Sequence, residues 1–237
     1  MHSSKKILKT VLILVICGIL LKGLDTALYP CTFMRNDVHA VVTEQFDDII
    51  LGTSHGKMDI DPEVMEEVTG RTGHNLCVGG EYGIDAYYLA RLVAEKQNPK
   101  RIIYEVDPGY FVSEKEEGNN YLLFYHEFPF SKAKLEYLKK LIDFCKENDI
   151  EFVAVTTPVP IATLKDHSDN YNAAWKYFGK FFEEQGVDYI NFNTQYFKAF
   201  THDAKAYTDY DGHMNGDAAR AYSKVLAQVL NQTESAD

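Results

Sequence analysis

The chain has 237 residues, 46% hydrophobic and 25% charged, which suits one medium α/β domain plus a short extra segment. Lys and Arg number 24 against 35 Asp and Glu, a formal net charge of -11. No basic stripe follows the N-terminus, which excludes nucleic acid as an expected partner.

The first residues differ from the rest. Lys5, Lys6 and Lys9 precede an apolar run from Thr10 to Leu21, interrupted by Lys22. If Lys22 snorkels, the span reaches from Ile7 to Leu24. No small-x-small cleavage site follows. The first reading is therefore an uncleaved signal anchor over residues 1–24, basic end in the cytoplasm and remainder extracytoplasmic; a cleaved signal peptide is the alternative. Residues 25–45 read as a connecting segment.

The regular pattern begins at Phe46. Asp47–Leu51 reads as a buried strand ending at Gly52, and Asp61-Pro62 as an N-cap and N1 opening a short helix. Asn75–Val78 is a second strand, closed by Gly79-Gly80, and Ile84 to Glu95 is helical. Arg101–Val106 is a third strand. An aromatic stretch follows over Asp107–Phe130, a length typical of lids and binding walls. Ser131 can cap a helix with Leu135, Leu138, Leu141, Ile142 and Cys145 at helical spacing. Glu151–Thr156 is the fourth strand. Asp169 or Asn170 starts a helix that Gly186 ends, Tyr189–Phe192 is a fifth strand, and a last helix covers Gly216 to Leu230. The tail, residues 231–237, is polar.

Strands alternating with helices predict a three-layer α/β/α domain over residues 46–230, with a five-stranded, mainly parallel sheet. Ligands of such sheets bind beyond the C-terminal strand ends. Ser54, Gly79-Gly80, Asp107 and His213 all fall on that edge. Ser54 sits in a Gly-containing turn after the first strand, where a hydroxyl can be presented to a base. His213 offers the base, and Asp211 or Asp209 can orient it. Asp211 is preferred because a two-residue spacing can reach around a turn. His55 and Tyr110 are candidate substrate contacts, as is Asp107, which with Glu105 could bind a cationic group. The cysteines and the scattered histidines form no metal motif, and no cofactor is expected. Cys77 and Cys145 read as buried thiols.

Gly52-Thr53-Ser54 and the segment Asp209–His213-Met-Asn-Gly216 resemble the SGNH (GDSL-like) hydrolase superfamily. Within it the chain is most similar to membrane-anchored DltD-like proteins of teichoic acid D-alanylation and to cell-envelope O-acyltransferases and esterases. The resemblance implies a flavodoxin-like SGNH fold and an oxyanion hole from the Ser54 amide with Gly79 or Gly80. It further implies an extracytoplasmic serine esterase or O-acyltransferase working through an acyl-enzyme on an envelope polymer, a teichoic acid or polysaccharide ester. A membrane protein is a further expected partner class. Two departures stand out. The usual acid lies three residues before the His, where this chain has Tyr210, and Glu105-Val-Asp-Pro-Gly109 replaces the usual Gly-x-Asn-Asp. An amide near Gly79 to Tyr82 can stand in for the missing Asn donor. These departures leave an alternative: a catalytically weak or inactive accessory protein that binds polymer or a membrane partner.

Overall fold

A computed structural model describes residues 2–28, 33–80, 83–107 and 132–234. The chain divides into two units, Met1–Ala40 and Val41–Asp237. In the first, helix α1 runs His2–Leu28. Its stretch Lys5–Leu28 is long and apolar enough to cross a membrane, and a signal sequence meets the same description. Helix α2, Phe33–Thr43, occupies much of the segment expected to be a simple connection.

The second unit is built on five parallel strands. They are β1 Asp48–Leu51, β2 Gly73–Asn75, β3 Arg101–Glu105, β4 Glu151–Thr156 and β5 Asp188–Asn191. Their order is β2-β1-β3-β4-β5, and every neighbouring pair is parallel. The middle stretches of β1, β3 and β4 are apolar because both faces of the sheet are covered. Ile49, Leu51, Ile102, Tyr104 and Ala154 point into one core. Helices α5 Gly83–Lys96, α6 Lys132–Glu147 and α8 Ser168–Gln185 close that core with Ala90, Leu141 and Phe182. Ile50, Ile103, Val153 and Val155 point into the other. There α4 Pro62–Thr69 and α9 Gly216–Glu234 contribute Met65, Tyr222 and Leu226. The architecture is the three-layer α/β/α sandwich expected from the alternation.

Local chemistry explains several boundaries. The Asp61 side chain accepts from the amides of Glu63 and Val64, with Pro62 at N1. Gly186 closes α8 in the left-handed conformation. That helix starts at Ser168, a little before the expected cap, and His167 gives it no side-chain cap bond. Strand β2 lies earlier than expected, on Gly-His-Asn, because pairing with β1 ends at Asn75. Two short helices escape the sequence pattern: α3 Ser54–Asp59 and α7 Ile161–Asp166. The proposed Ser131 cap and the aromatic stretch from Pro108 through Phe130 lie outside the described residues.

The strand order reverses between β1 and β3, since β2 lies on one side of β1 and β3 to β5 on the other. Doubly wound sheets open a crevice at such a point, beyond the strand C-termini. Ser54 follows β1 and Asp107 follows β3, so the candidate chemistry stands at that switch point.

Candidate active site

Ser54 is the first residue of α3, one turn after β1 ends. The chain gets there through Gly52 at φ 143, where a Cβ would lie 2.6 Å from Glu105 Cβ and 2.8 Å from Glu105 O. Only glycine accommodates both the backbone conformation and the approach. Thr53 then caps α3: its hydroxyl oxygen accepts from the His55 amide at 3.3 Å. As the first residue of the helix, Ser54 has an amide without an intrahelical acceptor.

His213 arrives from the far end of the domain. Its Nε2 lies 2.8 Å from Ser54 Oγ, across 159 residues of sequence. The hydroxyl donates in this contact when Nε2 is unprotonated. On the other side of the ring, Nδ1 lies 2.6 Å from Asp209 Oδ2. The second oxygen of Asp209 accepts from the amides of Gly212 at 2.9 Å and His213 at 3.1 Å. Partial burial pushes the Asp209 carboxyl up. The Gly212 amide, the His213 ring and the His213 amide outweigh it and leave the pKa below the ordinary value.

The expected assignment of the acid is corrected here: Asp209, not Asp211, meets the imidazole. The reason lies in the loop. Tyr207 and Met214 form an antiparallel bridge, and the Thr208 amide donates to His213 O at 2.7 Å. The turn between them passes through Gly212 at φ 118, pressed against Val159, where a Cβ would meet Cγ1 at 2.8 Å. That turn folds residue 209 back onto the ring and leaves Asp211 exposed. Asn215 fastens the loop to α9, its Oδ1 accepting from the Ala218 amide at 3.0 Å and its Nδ2 donating to Lys205 O at 2.8 Å.

The remaining expected residues divide. Gly79 stands beside the nucleophile: a Cβ there would lie 3.8 Å from Ser54 Cβ. Gly80, at φ 77, makes the turn that follows, and the Val78 amide donates to Gly52 O at 3.0 Å, tying the two loops together. His55 is not the open substrate contact expected of it. It is 4% exposed, with its ring centroid 4.5 Å from that of His213. Its Nε2 lies 3.8 Å from Asp107 Oδ2 and its Nδ1 3.5 Å from Thr157 Oγ1. Asp107 therefore faces His55 and is largely covered, 11% exposed at its side chain. Tyr110 lies outside the described residues.

Two buried acids, Asp59 and Glu105, lie under the site in roles the sequence did not suggest. Asp59 is 0% exposed and accepts from the Met214 amide at 2.8 Å, which anchors the residue after the base. Burial raises its pKa well above the ordinary value against the pull of that hydrogen bond. Glu105, read with Asp107 as a candidate cation-binding residue, is also 0% exposed. Its signal in the sequence is an acid that closes the apolar run Ile102-Ile103-Tyr104. Asn75 braces α3 from the side, its Nδ2 donating to Gly56 O and Ile60 O, both at 2.8 Å. Among the described residues no group of three His, Cys, Asp or Glu is placed to hold a metal ion. Cys77 and Cys145 are buried, as expected.

A serine hydroxyl on an imidazole that is itself held by a carboxylate is the arrangement of a serine hydrolase or acyltransferase. Solved structures share the surrounding architecture. The psychrotrophic esterase EstA from Pseudoalteromonas sp., in a structure inhibited by monoethylphosphonate, is similar at 12% identity over 80% of this chain and 99% of that one, TM-score 0.55. A member of the lipolytic protein G-D-S-L family from Veillonella parvula is similar at 14% identity, covering 78% and 97%, TM-score 0.53. The lipase/acylhydrolase from Enterococcus faecalis is similar at 12% identity, covering 78% and 96%, TM-score 0.52. The fold is that of the GDSL-type lipolytic proteins. No family model matches the sequence, and no curated protein matches it. The likeness is therefore one of backbone, and the chemistry rests on the side-chain geometry described above.

Proposed function

We propose that the protein is a membrane-anchored, extracytoplasmic serine esterase or O-acyltransferase that works through an acyl-enzyme on an ester of a cell-envelope polymer. The observation that carries the reading is the unbroken chain Ser54 Oγ, His213 Nε2, His213 Nδ1 and Asp209 Oδ2. The apolar α1 supports placement at a membrane, and the Gly-Thr-Ser and Asp209–His213 motifs support the DltD-like, envelope-directed subset of the fold.

In the first half-reaction Ser54 Oγ attacks the acyl carbon while its proton passes to His213 Nε2. The carbonyl oxygen takes the electron pair and is held by the Ser54 amide and an amide of the Gly79 turn. Collapse expels the alcohol, which leaves with the proton from His213, and Ser54 keeps the acyl group. In the second half-reaction His213 deprotonates either water, giving a carboxylic acid, or a polymer hydroxyl, giving a new ester. Asp209 stays ionised throughout and keeps the ring in the tautomer that accepts at Nε2.

The test is covalent labelling of the detergent-solubilised full chain with a fluorophosphonate probe. Labelling is expected in wild type and in Ser168→Ala, an exposed serine elsewhere, and absent in Ser54→Ala. A folded wild-type protein that takes no label would reject the enzyme reading and favour an accessory protein that binds polymer.

A further inference from the structure

We propose that Glu105 is a positioning residue whose buried carboxyl clamps the turn carrying Ser54. This rests on the reading of Ser54 as nucleophile and extends it to what holds the nucleophile in place.

One oxygen of Glu105 gathers the whole turn. Oε2 accepts from the Thr53 amide at 2.9 Å, from the Thr53 hydroxyl at 2.8 Å and from the Gly56 amide at 3.3 Å. These donors flank Ser54 on both sides. Because the Thr53 hydroxyl also receives the His55 amide, the clamp reaches the residue packed against the base. Gly52 lets the backbone of β1 lie directly on Glu105, so carboxyl and turn have no room to slide. Catalytic geometry tolerates errors of only about half an ångström, and a serine in a six-residue helix has little rigidity of its own.

The form of the carboxyl matters. Its other oxygen, Oε1, is buried with no hydrogen-bond partner among the described residues, so charge there is unsupported. Burial, and then the neighbouring Asp107 carboxylate, push Glu105 up to about 8 against the three donors. Among the described residues, Asp59 from α3, Tyr189 from β5, Tyr222 from α9 and the Cys77 thiol also lie about it. All of these are acids, and none of them is a cation that would stabilise the anion. At neutral pH the proton therefore resides on the carboxyl, and Oε2 serves as a neutral acceptor. A neutral clamp holds the amides without placing a negative charge beneath an oxygen that must itself become negative in the transition state.

The experiment compares wild type, Glu105→Gln and Glu105→Ala in the full chain. Fluorophosphonate labelling rates and kcat and KM for a nitrophenyl ester are read from pH 6 to 10, with near-UV circular dichroism as the check on folding. Glu105→Ala should lower kcat at least tenfold at pH 7 with KM changed less than threefold. Glu105→Gln, which keeps a neutral acceptor at the same place, should restore most of that loss. Wild type should slow above pH 8 by severalfold more than Glu105→Gln. A folded Glu105→Ala with wild-type kcat would overturn the proposal, as would Glu105→Gln as slow as a folded alanine variant. If alanine does not fold, the pH profiles decide: the same alkaline fall in wild type and Glu105→Gln rejects the clamp. Absence of labelling in wild type would instead reject Ser54 as nucleophile, so the two failures are distinguishable.

Discussion

Replacing Asp209 with asparagine tests the catalytic chain at its most specific link. The Oδ1 side of Asp209 faces two amide donors, Gly212 N and His213 N, so an asparagine must keep its carbonyl oxygen there. Its NH2 group then falls where Oδ2 stood, 2.6 Å from His213 Nδ1. A donor at that place forces Nδ1 to accept and moves the ring proton to Nε2. The ring can then no longer take the Ser54 proton. Locking the wrong tautomer in a serine triad costs up to about ten-thousand-fold in kcat. Asp209 is 43% exposed at its side chain, so water relieves part of the misfit. The expected loss in kcat/KM is therefore roughly a hundred- to ten-thousand-fold, or about 3–5 kcal/mol in the barrier. The assay is hydrolysis of a nitrophenyl ester by purified full-length protein, with thermal melting as the check on folding. Asp211→Asn is the control and should stay within twofold of wild type. Asp209→Asn within threefold of wild type, or Asp211→Asn with the larger loss, would refute the assignment.

Gly52→Ala should destabilise the domain by roughly 2–5 kcal/mol in urea titrations, since it adds a contact of 2.6 Å to a backbone at φ 143. Asn75→Ala strips partners from Gly56 O, Ile60 O and the Cys77 amide, and should cost about 2–4 kcal/mol in the same measurement. Stability should also depend on pH through Asp59 and Glu105, whose carboxyls are raised in the folded state, mainly by burial. Between the ordinary carboxylate range and about 8, the unfolded chain binds fewer protons than the folded one. The stabilisation is full below that window and is lost as pH rises through it. Glu105→Gln should shallow the decline by up to one proton, about 1.4 kcal/mol per pH unit, and an unchanged slope would count against the raised carboxyl.

What could be read from the sequence was whatever depends on short-range pattern. Ile49-Ile50-Leu51 and Ile102-Ile103 are apolar on both faces, which marks a sheet covered on both sides. Asp61-Pro62 and Gly186 announce helix ends by chemistry that acts within a few residues. Helix α3 was hidden because it is six residues long, interrupted by Gly56, and has no amphipathic period. Strand β2 is Gly-His-Asn, a sequence with no β-branched side chain, and only its pairing with β1 defines it. The nucleophile and base could be matched because each motif stands at a strand end. Spacing assigns the acid to Asp211 rather than Asp209, because the deciding contact is Gly212 against Val159, far away in sequence. Glu105 misled for a related reason. An acid at a strand end is ordinarily solvated, and its burial depends on donors from the Thr53 turn.

The acid of this site shows why spacing alone is a poor guide to a triad. An ion pair with a partner 43% exposed is normally worth little, because water competes and two flexible side chains must be fixed. Asp209 escapes both penalties. Its carboxyl is already fixed by the Gly212 and His213 amides before it meets the ring, so orienting the imidazole demands little further ordering. Those same amide bonds close the turn that places His213 over Ser54. One side chain thus builds the loop with one oxygen and orients the base with the other. Any carboxylate that closed the same turn could serve, whether three or four residues before the histidine. Asp211 cannot, because it lies on the outside of the turn that Asp209 closes. The Tyr at the usual acid position is then no obstacle: Tyr210 turns its hydroxyl to Asp166 at 2.8 Å, and its backbone oxygen accepts from the Thr163 hydroxyl. The acid–base loop is thereby fastened to α7 on its outer side while Asp209 fastens it within. Both constraints act on His213, the group that must approach Ser54 most closely.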